Sequence, residues 1–156
     1  MARVTSRLLL LLPALALALT ACGGNADPRA EYVEKANSVC ADADDDFADL
    51  TQPTSAAEFG PFAQKTLAIA EQAQQELAKL TPPEQDRAEL ETKVLNPFAM
   101  LVEEGKAFAE QVSAAGADQA KLLALLPQRP TAEKIDLEFL RTYGLGTCAD
   151  AIELGT

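Results

Sequence analysis

Histidine is absent from this 156-residue chain, and so is tryptophan. The first absence removes Ser-His and Cys-His nucleophilic catalysis, His-ligated zinc and the Glu-x-x-His di-iron sites of helical bundles. The second, with only two tyrosines, argues against an aromatic-lined sugar cleft and so against a two-carboxylate glycosidase. There is no glycine-rich phosphate loop and no Gly-x-Ser-x-Gly elbow. No apolar run reaches the roughly 20 residues needed to span a bilayer. Basic residues are outnumbered, 13 Lys and Arg against 24 Asp and Glu, for a formal charge of −11. Such an acidic surface repels nucleic acid and anionic headgroups, so a nucleic-acid partner is not expected. The expectation is a protein that is not an enzyme and needs no cofactor.

What is present begins with Arg3 and Arg7, followed by an apolar stretch from Leu8 to Leu19 broken only by Pro13. A basic start, about a dozen apolar residues and a small-residue exit read as a secretory signal. The exit, Leu19-Thr20-Ala21-Cys22, resembles the bacterial lipobox. That resemblance implies a diacylglyceryl (palmitate-type) group on the sulfur of Cys22 and removal of residues 1–21. The alternative is ordinary cleavage after Ala21, leaving a free thiol. Two acyl chains anchor stably where one does not, at about 0.8 kcal/mol per buried methylene, so no polybasic patch is needed. Residues 22–28 then form a short tether, reaching on the order of 13 Å as a flexible coil. The remaining 29–156 is long enough for one domain. The expected location is the extracytoplasmic face of the cell membrane, held by lipid.

Of the three cysteines, Cys22 is then spoken for, and Cys40 and Cys148 make an even pair in an oxidising compartment. The alternative, a reactive thiol pair, lacks both a Cys-x-x-Cys spacing and a histidine to lower a thiol pKa. A structural disulfide is expected. It would clip the two ends of the domain together.

Every segment beyond the tether reads as helix or turn. Val33, Ala36, Cys40, Ala43, Phe47 and Leu50 recur every three or four residues, one apolar stripe on a helix over 28–50. Ser55-Ala56-Ala57-Glu58 matches a capping box opening a second helix, with Gly60-Pro61 as a possible break. Its stripe runs from Phe59 to Leu80. Thr81-Pro82-Pro83-Glu84 reads as another box, opening a third helix that reaches Ala115 with a kink at Asn96-Pro97. Asp118 caps a short helix ended by Pro127. Thr131 to Tyr143 forms the last substantial helix, stopped by Gly144, with Thr147 capping a terminal turn. The fold class is therefore all-α, a bundle of about four main helices with short extra ones and one disulfide.

The order of lipobox, YVEKANSVC (Tyr32 to Cys40), KLTPPE (Lys79 to Glu84) and TYGLGTCA (Thr142 to Ala149) resembles small predicted lipoproteins of actinobacteria. Their mature part is a helical domain with one early and one late cysteine. The resemblance implies location and architecture, and no activity.

Two further stretches invite chemistry. Asp42, Asp45, Asp46 and Asp49 form an acidic face that opens like a calcium loop. Phe47 and Pro53, however, stand where such a loop needs glycine and a bidentate glutamate. The candidates are a weak cation face or a solvated surface, and the solvated surface is favoured. Ala120 to Pro127 is the most apolar piece after the leader. It is expected to be a buried short helix, the alternatives being a lid over a lipid-like ligand or a docking surface. Phe59, Phe62, Phe98, Met100, Phe108, Phe139 and Tyr143 are expected in the core. The readings of function are a scaffold that binds another envelope protein or, alternatively, a carrier or sensor of a small apolar ligand inside the bundle.

Overall fold

Asp27 starts the first helix: its carboxylate accepts the N–H of Arg29 at 3.0 Å, and Pro28 occupies the first helical position, where its missing N–H costs nothing. The computed structural model describes residues 27–155, in which every regular element is a helix. The expected leader over 1–21, the lipid site at Cys22 and the tether as far as residue 26 lie outside the described residues. Among those described, no helix is long and apolar enough to cross a membrane.

Helix α1 spans Pro28–Ala48, two residues short of the expected end, because Asp49 and Leu50 close it with bonds to the carbonyls of Asp45 and Phe47. Its buried stripe is Tyr32, Ala36 and Cys40, with Val33 only half-buried. Helix α2 spans Phe59–Lys79 behind a short 3-10 turn, Ala56–Glu58. The expected capping box is there, and the Glu58 carboxylate accepts the N–H groups of Thr54 at 2.6 Å and Ser55 at 3.3 Å. Gly60-Pro61 does not break α2. Proline falls in its first turn, and Gly60 is buried against the later helix that carries Ser113, where a Cβ would meet Ser113 Cα at 3.3 Å.

The third segment departs from expectation at its start. Thr81 to Pro83 is not helical, and helix begins only with α3, Arg87–Leu90, after a turn closed from Asp86 N–H to Pro83 carbonyl at 3.0 Å. The chain then widens into a π turn, Glu91–Leu95, and continues as α4, Asn96–Ala115. The π turn is the form the expected kink takes. Pro97 has no N–H to give the carbonyl of Lys93, four residues back, and that carbonyl accepts the N–H of Asp136 at 3.3 Å instead.

Asp118 caps α5, Gln119–Leu125, through bonds from Ala120 and Lys121 N–H at 3.1 and 3.2 Å. Pro127 tightens the chain into a 3-10 turn, Leu126–Gln128, instead of ending it outright. The expected helix over 131–143 is two pieces: a turn at Ala132–Lys134 and α6, Leu137–Tyr143. Ile135 is extended and buried between them, and Asp136 restarts the helix by accepting Phe139 N–H at 2.8 Å. Gly144 ends α6 in the left-handed region at φ 109°, as expected. The terminal turn is in fact a full helix, α7, Gly146–Gly155.

Helix α2 lies antiparallel on α4, since Gly60 faces Ser113 and Leu67 faces Gly105. Helix α1 packs on α2 and α7, and α6 packs on α7. Leu90, Leu140 and Leu145 are the most deeply buried large side chains. Each contributes about 1.5–3 kcal/mol of transfer free energy. They fill the end of the bundle next to Tyr32 and Tyr143. Two expectations of burial fail. Met100 is 52% and Phe59 42% exposed, and Leu123 on α5 and Leu126 in the turn after it are 57% and 61% exposed. Helix α5 packs on α4, and no residue of α5 is buried.

Candidate functional site: an apolar cavity within the bundle

The inner face of α2 carries small side chains in succession, Ala63, Thr66, Ala70 and Ala73, opposite Ala36 and Ala43 of α1. Larger side chains there would fill the space between α1, α2 and α4. With alanine it stays open, and α4 has no extensive contact with α1 or α7. The result is a half-open cavity of about 220 Å³. For scale, an engineered apolar cavity of about 150 Å³ is enough to bind benzene.

The remaining walls are contributed element by element. Helix α1 supplies Tyr32, Cys40 and Phe47, and the α3–α4 segment supplies Phe98, Leu101, Val102 and Phe108. Helix α7 adds Cys148, Ala151 and Ile152, so the disulfide is part of the wall. Arg129 and Pro130, on the strap between α5 and α6, complete it. That strap is pinned along α4 by Lys134 Nζ on Glu104 Oε1 at 2.6 Å and by the Asp136 bond to Lys93.

Tyr32 and Arg129 are the lining residues with titratable side chains. Burial raises the Tyr32 phenol above its ordinary value of 10.0, so it stays neutral at physiological pH. Thr66 Oγ1 is buried without a hydrogen-bond partner among the described residues. A lining of this kind offers shape and dispersion contacts to hydrocarbon, with polar groups at few points.

A polar cluster lies where α1 begins. Tyr143 donates its hydroxyl to Asp86 Oδ2 at 2.7 Å. Arg29 stacks 4.1 Å from the Tyr143 ring centre and donates to the Tyr143 carbonyl at 3.1 Å. Asn37 donates to the Gly144 carbonyl at 2.9 Å. Burial first, and then the bond to the Asp86 carboxylate, push the Tyr143 phenol well above its ordinary value.

The structure brings Cys40 and Cys148 together as the expected disulfide. It does not gather the four aspartates into one site. Asp42 and Asp46 border a shallow cleft with Gln72 and Glu76 of α2, and all four, Asp45 and Asp49 included, are exposed. Among the described residues, no group of three or more His, Cys, Asp or Glu is placed to hold a metal ion. The sequence places Thr66 on the inward stripe of α2 without marking its role, and Arg129 in a loop with none. Their signals were a lone hydroxyl in an alanine-rich stripe and a basic residue between two turn formers, Gln128 and Pro130.

No family model matches the chain, and neither does any curated protein or solved structure.

Proposed function

We propose that this protein binds a small, predominantly apolar molecule inside its helical bundle and does so at the outer face of the cell membrane. The observation that carries the binding is the 220 Å³ cavity with its nearly continuous hydrocarbon lining. The location rests on the sequence alone: the basic start, the apolar run and the lipobox-like Leu19 to Cys22. Lipid on Cys22 would tether the domain within a short reach of the bilayer, where apolar molecules are concentrated. The bundle would then act as a carrier or sensor, performing no covalent chemistry on its ligand.

Linkage tests the reading. A ligand that binds only the folded state stabilises it by about 2.7 kcal/mol at a hundredfold excess over its Kd. The full chain carrying Cys22→Ser, which removes the acylation site, is unfolded in urea with and without hexadecanol. A higher midpoint with the alcohol is expected. An unchanged midpoint with hexadecanol and with naphthalene would overturn the reading.

A second reading, docking of another envelope protein, is favoured by the outward leucines Leu123 and Leu126. Cross-linking in intact cells from a photoreactive residue at position 123 tests it. Absence of any adduct would count against it.

A further inference from the structure

The cavity's walls set its shape as well as its polarity. Along α1 they run from Tyr32 to Phe47, and along α2 from Ala63 to Leu77. At about 1.5 Å per residue, each wall is about 20 Å long. A volume of about 220 Å³ bounded by walls of that length is narrow for its length. It suits an extended chain better than a compact ring system.

Charge enters at a single point. Among the described residues, Arg129 is the one lining residue of a charged type. Its planar guanidinium carries five donors, so it can grip a carboxylate or phosphate while keeping contacts of its own. The formal charge of −11 over the chain disfavours an anion at the surface at large, so the guanidinium is what would hold one at the cavity. Thr66 Oγ1, buried and without a partner among the described residues, marks a second point where the wall asks for a polar ligand atom.

Building on the apolar-ligand reading above, we propose that the ligand is a single-chain amphiphile with an anionic head group. Its chain lies among α1, α2 and α4, and its head meets Arg129. Free fatty acids and anionic lysolipids share this chemistry.

The test uses the full chain carrying Cys22→Ser, with cis-parinarate, a polyene fatty acid that fluoresces on burial, as the reporter. Palmitate, lysophosphatidylglycerol, hexadecanol and naphthalene are then used to displace it. Palmitate, the lysolipid or both should displace it at concentrations at least tenfold lower than hexadecanol, the factor that a charge-assisted bond gives. Whichever of the two anions is the stronger names the source. Arg129→Gln should remove that advantage and leave hexadecanol unaffected. Arg129→Lys should restore part of it, and circular dichroism checks that both variants are folded. Equal displacement by palmitate and hexadecanol, unchanged in Arg129→Gln, overturns the anionic head while the apolar-ligand reading stands. Binding of naphthalene alone overturns the chain shape and likewise leaves that reading standing. If none of the four binds, both fall.

Discussion

Cys40 on α1 is bonded to Cys148 on α7 across 108 positions of sequence, with their Cα atoms 5.0 Å apart. Both are buried, and both stand in the cavity wall. The bridge therefore joins the first and last helices at the place where the bundle is least tightly filled.

Removing it should be expensive. In the chain-entropy model a loop of about 100 residues is worth up to about 4.7 kcal/mol, and losses of about 2–5 kcal/mol are typical. The double variant Cys40→Ser/Cys148→Ser is expected to lower the urea midpoint by an amount in that range. A midpoint equal to that of the oxidised protein would contradict this.

The bond from Tyr143 to Asp86 makes stability depend on alkaline pH. The folded protein holds the phenol proton more tightly than the unfolded chain, whose tyrosine titrates near 10.0. Below that pH both states keep the proton and the contribution is complete. Above it the unfolded chain ionises first, so stability falls as pH rises toward the higher folded value. Tyr143→Phe should cost about 1 kcal/mol at neutral pH and flatten the decline above pH 10. Parallel alkaline profiles for the two proteins would count against this account.

Gly144 holds the turn between α6 and α7 at φ 109°, and a Cβ there would meet Val33 Cγ1 at 3.3 Å. Gly144→Ala is expected to destabilise by about 1–2 kcal/mol through the left-handed backbone. The crowding of Val33 adds to that. Thermal unfolding reads the loss. A neutral effect would mean that the turn relaxes freely.

Filling the cavity should trade function for stability. Ala70→Leu adds apolar volume where α2 faces α1, and each buried methylene is worth about 0.8 kcal/mol where it fits. The variant should unfold at higher urea and bind hexadecanol more weakly than the parent chain. Unchanged binding would place the ligand elsewhere.

Much of the architecture was legible because it rests on local rules. The three-and-four spacing of Ala36, Cys40, Ala43 and Phe47 marks α1, Glu58 marks the start of α2, Asp118 caps α5, and Gly144 stops α6. The misreadings have non-local causes. The break at Ile135 and Asp136 depends on a carbonyl that Pro97 leaves unpaired on another helix. The proline pair after Thr81 delays α3 despite its box-like letters. Leu123 and Leu126 look like core in a linear reading, yet α5 lies outside α4 and both are exposed. The cavity was the least legible feature. It arises from alanines on facing helices, and alanine is an ordinary helix residue until its opposite number is known.

The most direct measurement is a titration of the full chain carrying Cys22→Ser with cis-parinarate, the polyene chain that fluoresces on burial, beside the same chain with Ala70→Phe. The account predicts saturable one-to-one enhancement, lost in Ala70→Phe while its helical circular dichroism and disulfide persist. Absence of saturable binding, or equal binding by both chains, would contradict it.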